Sequence, residues 1–225
     1  MQILREGKYK YLNNKARENR NRILYSLLIL IVLFLLSRIH DLFGYGMLIP
    51  FLAFFTFLRR YRNYKKGIEG EKKVVETLQS LDNSYYLIND IVLNSKHGNI
   101  DHIILSPNEI FVIETKNFWG QIGCDRDNWY YPKYEIPSIS KQAKRNALLV
   151  KRITGVNFVR PLLVFTDPDI ELKLNSPTIP VLKLQDLCDF IEKKNSRRFT
   201  DRELRRIGEI IISQCKEIEN CKGLN

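Results

Sequence analysis

The sequence predicts a mixed α/β domain preceded by an α-helical transmembrane hairpin. Three observations predict it. Two apolar runs lie close together in the first quarter of the chain, with basic clusters on their outer flanks. Beyond residue 66, segments with helical and with strand-like periodicity alternate. Their order is a helix, a group of strands joined by short turns, a helix, then strands and helices again. That order suits a sheet covered by helices rather than an all-α or all-β domain.

The apolar runs are residues 23–37 (ILYSLLILIVLFLLS) and 42–58 (LFGYGMLIPFLAFFTFL). A spanning helix needs about 20 apolar residues, so the first run is short and the second marginal. Snorkelling of Arg22, Arg38 and Arg59 lengthens both. Residues 1–22 hold seven Lys/Arg and residues 59–66 hold five, whereas the connecting Arg38-Ile39-His40-Asp41 is close to neutral. The positive-inside bias then places both flanks in the cytoplasm and residues 38–41 outside. A signal peptide is the poorer reading, because no small-residue cleavage site follows the first run and a second run does. A shallow re-entrant hairpin is the other alternative, and it also leaves the remaining chain on the cytoplasmic face.

Hydrophobic residues make up 44% of the 225 positions and charged residues 27%, a balance that excludes a disordered chain. The formal net charge of +11 suits polyanionic partners, either nucleic acid or a bilayer with anionic headgroups. Topology explains the flanking clusters better than nucleic acid does. The cysteines, Cys124, Cys188, Cys215 and Cys221, form no CxxC pair and complete no zinc set with histidine. They read as reduced thiols of a cytosolic domain.

In the soluble part a helix is expected from near Gly70 to Leu81, with Val74, Val75, Leu78 and Leu81 inward. Glu71 falls on that same face, although a first-turn acid is also favoured by the helix dipole. Strands are expected at 85–93, 100–105, 110–118, 121–124 and 128–131. Ser106-Pro107-Asn108-Glu109 is the turn between the second and third. A helix follows over 138–153, with Ala143, Leu148, Leu149 and Ile153 buried. Strands come next at 159–165 and 179–182, and a helix at 184–193. Thr200-Asp201-Arg202-Glu203 is a capping box that opens a last helix, with Leu204, Ile207, Ile210 and Ile211 inward.

The stretch GNIDHIILSPNEIFVIETKNFWG, residues 98–120, carries the chemistry. If the chain reverses about Pro107 and Asn108, paired residues have numbers summing to 215. Leu105 then faces Ile110, Ile103 faces Val112, and Asp101 faces Glu114. Directly opposed residues point to one side of a sheet, with Cβ atoms about 5 Å apart. Lys116 shares that face one pair further on. Opposed acids among buried aliphatic residues are destabilising unless compensated. A divalent cation bridging Asp101 and Glu114 compensates them, and carboxylate oxygens suit magnesium. Lys116 would then orient water or stabilise charge on a phosphate. The competing reading is an ordinary salt bridge between Lys116 and one acid, and spacing alone leaves the two open.

The sets Gly70-Glu71, Asn99-Ile100-Asp101-His102, Ile113-Glu114-Thr115-Lys116 and Trp119-Gly120 resemble the nuclease-related (NERD) domain of the PD-(D/E)XK nuclease superfamily. The resemblance covers about residues 67–183. It implies a restriction-endonuclease-like core and metal-dependent phosphodiester hydrolysis, with DNA as the expected nucleic acid. Asp101, Glu114 and Lys116 match the D…E-x-K core. Glu71 matches the acid on the first core helix, as a further metal ligand, and Gln142 matches a polar helper on a later helix. Mg²⁺ is the implied cofactor, with Mn²⁺ able to substitute. The expected organisation is a basic cytoplasmic segment (1–22), a transmembrane hairpin (23–58), a basic juxtamembrane linker (59–66), the nuclease-like domain (67–183) and a helical extension (184–225).

Other residues are assigned more plainly. His102 should point to the sheet face opposite Asp101 and pack there. His97, before a glycine, reads as a surface histidine near the substrate path. Trp119, Trp129, Tyr130 and Tyr131 form an aromatic group whose default role is packing, with base stacking as the alternative. Lys141, Lys144, Arg145, Lys151 and Arg152 lie on one basic helix, either a solvated face or a track for a phosphate backbone. Two rival functions stand beside the nuclease: a tethered nucleic-acid-binding module without cleavage, and a membrane scaffold whose acids form only salt bridges.

Overall fold

Ser106 fixes the turn on which the register rests. In the computed structural model its hydroxyl accepts from the backbone N–H groups of Asn108 (3.2 Å) and Glu109 (2.9 Å) and donates to the Glu109 carbonyl. The strands on either side, β3 (Ile100–Leu105) and β4 (Ile110–Lys116), pair antiparallel as Leu105↔Ile110, Ile104↔Phe111, Ile103↔Val112 and His102↔Ile113. Every pair sums to 215, as expected. The structure describes all residues except 8, 94–98, 133, 194–197 and 224–225, and the side chains of 219–223 are also left out. His97 lies outside the described residues.

Two compact units are present: residues 1–8 with 70–225, and residues 9–69. In the first, six strands form one sheet in the order β1-β2-β3-β4-β8-β10. Besides β3 and β4 these are β1 (Gln2–Arg5), β2 (Tyr86–Ile91), β8 (Val159–Phe165) and β10 (Val181–Lys183). Strand β4 pairs parallel with β8, as a crossover through helix α4 (Ile139–Thr154) requires. Strands β2, β3 and β4 are buried almost throughout, which explains why their apolar residues run on rather than alternate. One face carries Ile88, Ile103, Leu105, Ile110 and Val112, packed with Ala147 and Val150 of α4 and with Leu204, Ile207 and Ile211 of α6 (Asp201–Gly223). The other carries Leu87, Ile104, Phe111, Ile113 and Leu162, packed with Val74 and Leu78 of α3 (Leu48–Leu78) and with Leu187 and Ile191 of α5 (Leu187–Glu192). The restriction-endonuclease-like expectation, a mixed sheet between helices, holds.

A second sheet, ordered β7-β6-β5-β9, consists of β5 (Gln121–Asp125), β6 (Asn128–Tyr131), β7 (Tyr134–Ile136) and β9 (Glu171–Asn175). Asp127, in the β5–β6 turn, ties it to α4: its carboxylate accepts from Ser140, Lys144 and Thr178. Those hydrogen bonds hold the Asp127 pKa well below the usual carboxylate range.

The structure corrects the organisation in four places. Residues 2–5, read as part of a basic tail, form edge strand β1, parallel to β2, with the terminal ammonium donating to the Leu81 carbonyl at 2.6 Å. Four residues, two apolar ones between Gln2 and Arg5, carry too little periodicity to mark a strand. Residues 59–66, read as a linker, lie within α3, which begins at Leu48 and not near Gly70. Arg and Lys are good helix formers, and Gly67 alone does not break the helix. The C-terminal segment is no appendage, because Leu204, Ile207, Ile211 and Cys215 are core residues. Its capping box is present, with Glu203 N–H donating to Thr200 Oγ1 and Thr200 N–H to Glu203. On α4 the buried position is Ala147 rather than Leu148, which is exposed.

In the second unit, α1 (Lys10–Ser37) is followed by the short α2 (Leu42–Gly46) and by the first part of α3. The second apolar run is therefore split at Met47. Leu28, Ile31, Leu35, Ile49 and Leu52 are each more than half exposed, unlike residues of a soluble core helix. Both helical stretches are long and apolar enough to cross a membrane by length and composition.

Candidate active site

The site grows out of the far end of the β3–β4 hairpin. Beyond the pair His102↔Ile113 the same register places Asp101 beside Glu114. Asp101 Oδ2 accepts from the Thr115 N–H at 2.7 Å, which locks its carboxylate against β4. Glu114 is 2% exposed, and Lys116 Nζ donates to its Oε1 at 2.5 Å. Glu114 Oε2 is buried and has no hydrogen-bond partner among the described residues. On β8, Leu163 and Phe165 lie beside Glu114 and Lys116, so the pair sits against apolar neighbours. Both the metal-bridge reading and the salt-bridge reading anticipated part of this. The Lys116–Glu114 ion pair is present, and it satisfies only one oxygen of one acid.

Glu71 comes from the opposite side of the sheet. Its helix packs Val74 and Leu78 on the Ile104/Phe111 face. Gly70 lets the helix approach closely: a Cβ there would lie 2.9 Å from both Asn117 Cβ and Thr166 Oγ1. Glu71 is buried, and burial, then the charges of Asp90 and Glu114, push its pKa up to about 8. Burial, then Glu114 and Glu71, raise Asp101 well above the usual carboxylate range. Burial works against the Lys116 ammonium, but Glu114 and Asp101 outweigh it and hold its pKa high. Glu71, Asp101, Glu114 and Lys116 thus form one electrostatic cluster with more acid than base.

Asp90 is a member that the sequence reasoning missed. The pairs Asn89↔His102 and Ile91↔Ile100 put it across from Asp101 on β2. It is buried, adopts a left-handed backbone (φ 52°), and accepts from Asn99 Nδ2 at 2.5 Å. An acid inside the apolar run YLINDIVL was the available signal. The long segment between β2 and β3 gave no register from which to use it.

Gln142 is on α4, partly buried, and hydrogen-bonds through its side chain to none of the four cluster residues. His102 is fully buried on the other face, its Nδ1 2.8 Å from Asn89 Oδ1, and burial pushes its pKa down to about 3. It is a packed histidine, as expected. Trp129 is also core, donating to Ser140 Oγ, whereas Trp119 is 64% exposed. On α4, Lys144 is paired with Asp127, and Lys141, Arg145, Lys151 and Arg152 are exposed.

Among the described residues no three His, Cys, Asp or Glu side chains are arranged as a ready-made metal cage. The donor set nevertheless fits a hard divalent cation. It consists of crowded carboxyl groups, of which burial and mutual repulsion keep Glu71 and Asp101 from ionising without a counter-charge, and it includes Glu114 Oε2, which has no hydrogen-bond partner among the described residues.

A mixed sheet between helices, with acids and a lysine at the end of a central hairpin, is the arrangement of a restriction-endonuclease-like domain. Residues 66–166, just under half of the chain, match the model of the nuclease-related domain. That match points to a nuclease-like function. A 61-residue segment is 41% identical to an uncharacterized protein of Bacillus anthracis, covering 25% of this chain and 29% of that protein. The chain thus spans less than a third of this relative's length. No solved structure matches the chain significantly.

Proposed function

We propose that this chain is a membrane-anchored, metal-dependent nuclease that hydrolyses phosphodiester bonds in DNA at the cytoplasmic face. The observation that carries the reading is the juxtaposition of Asp101 and Glu114 on adjacent strands, with Lys116 on Glu114, inside a nuclease-related domain. Asp101 and Glu114 would hold Mg²⁺, or Mn²⁺ in its place, and Glu71 adds a third carboxylate from its helix. A divalent cation held there supplies Lewis-acid polarisation of a phosphoryl oxygen. Lys116, kept protonated by its neighbours, orients the attacking water and stabilises charge on the phosphate. Gln142 supports the site from α4.

Two features support the anchor. The apolar helices leave large aliphatic and aromatic side chains such as Leu28, Ile31, Leu35, Ile49 and Leu52 exposed, and basic residues flank them on both outer sides. Strand β1 precedes these helices and belongs to the same sheet as the strands that follow them. A shared sheet supports both ends of the hairpin lying on one side of the membrane, and the basic flanks support that side being the cytoplasm.

The test is cleavage of plasmid, linear and single-stranded DNA and of RNA by the full chain in detergent, with Mn²⁺ and with EDTA. A fragment starting at Gly67 would lack β1 and is the poorer material. Mn²⁺-dependent cleavage of DNA that is lost in Glu114→Ala and Lys116→Ala is the expected result. DNA binding without cleavage would leave only a tethered binding module.

A further inference from the structure

Trp119 is the most exposed large aromatic side chain of the nuclease unit, and it lies three residues after Lys116. At no more than about 3.6 Å per residue, its backbone is within roughly 11 Å of that of Lys116. Its backbone is held: Tyr131 Oη donates to the Trp119 carbonyl at 2.8 Å. Tyr131 in turn stands 5.8 Å from Phe118 and 6.1 Å from Tyr134, ring centre to ring centre, and Phe118 is 6.2 Å from the buried Phe165. The strip runs from the core to the exposed Tyr134, and Trp119, whose carbonyl Tyr131 holds, is 64% exposed. On α4, which follows β7, Lys141 and Arg145 are exposed cations. An indole exposed to water on a backbone held in this way, close in the chain to the proposed active site, costs apolar exposure that core packing does not recover.

We propose that Trp119 is a stacking platform for an unpaired nucleobase next to the scissile phosphate. This rests on the nuclease reading and deepens it: the preferred substrate is single-stranded DNA, or the frayed end or gap of a duplex. In a fully stacked duplex the faces of the bases are covered, so the platform has nothing to grip. Aromatic stacking of this kind is tolerant of sequence and adds to backbone contacts such as those Lys141 and Arg145 can make.

The chain has two tryptophans, and Trp129 is fully buried and shielded from contact with a bound base, so contact quenching of the indole emission reports on Trp119. The test uses the full chain in detergent with EDTA, which separates binding from hydrolysis. A single-stranded DNA oligonucleotide should quench the emission saturably, and its duplex should do so much less. Trp119→Phe should abolish the quenching while keeping most of the affinity. Trp119→Ala should weaken binding of a labelled oligonucleotide by about 5- to 150-fold. Equal affinity of Trp119→Ala and wild type overturns the proposal, as does equal quenching by duplex. An emission that ignores the oligonucleotide and shifts instead with anionic vesicles also overturns it, in favour of an interfacial anchor. If cleavage is absent but quenching is present, the platform stands and the hydrolytic reading fails.

Discussion

Lys116 neutralises half of Glu114. Its ammonium bonds Oε1 at 2.5 Å, while Oε2 of the same buried carboxylate has no hydrogen-bond partner among the described residues. The lysine is therefore part of the support for the acid as well as of the chemistry.

Removing that support should cost stability as well as activity. Lys116→Ala leaves a buried carboxylate uncompensated, a loss of about 3 kcal/mol. Denaturant unfolding should show it, and Lys116→Met with Glu114→Gln should recover most of it. Both forms should have lost cleavage by a factor of about 10² or more.

Asp101→Asn should separate stability from function. The amide oxygen can still accept from the Thr115 N–H, while repulsion from Glu114 and Glu71 disappears. Without metal the melting temperature should stay level or rise, and the stabilisation by Mn²⁺ should vanish. A scaffold held by salt bridges would show no Mn²⁺ effect in either protein. Asp90→Asn should likewise weaken the Mn²⁺ effect without unfolding the domain.

Stability without metal should fall as pH rises. Glu71 has a folded pKa of about 8 against an ordinary 4.5, so between these values the folded state binds more protons than the unfolded one. Its favourable contribution is complete below about pH 4.5 and is lost as pH rises through 8. Glu71→Gln should flatten the melting temperature across pH 5–8, read by calorimetry in EDTA. His102 acts in the opposite direction, losing stability as pH falls from 6.5 towards 3.

Gly70→Ala should destabilise although alanine is the better helix former. The added methyl would meet Asn117 and Thr166 at 2.9 Å and push the helix off the sheet. A loss of about 1–3 kcal/mol is expected, with cleavage reduced further than stability alone explains, because Glu71 moves with the helix.

The central pair was legible because a four-residue turn fixes a register, and register arithmetic places Asp101 beside Glu114. Asp90 was not, since β2 and β3 are joined by a long segment that fixes no register. Strands β1, β7 and β9 are three to five residues long and mostly polar or half-exposed, too short for period-two patterning to stand out. The continuity of α3 was hidden because a basic stretch between apolar and amphipathic segments reads as a boundary, while helix propensity carries straight through it. That Glu71 reaches the site from the opposite face of the sheet depends on packing around Gly70, which periodicity does not encode.

The most direct measurement is the rate of plasmid DNA cleavage by the full chain, titrated with Mn²⁺ and compared with Glu114→Gln. A rate that is zero in EDTA, saturates with Mn²⁺ and falls by at least about 10²-fold in the variant is the expected result. Cleavage that persists in EDTA, or that the variant retains, would contradict the assignment of Asp101, Glu114 and Lys116 as the active site.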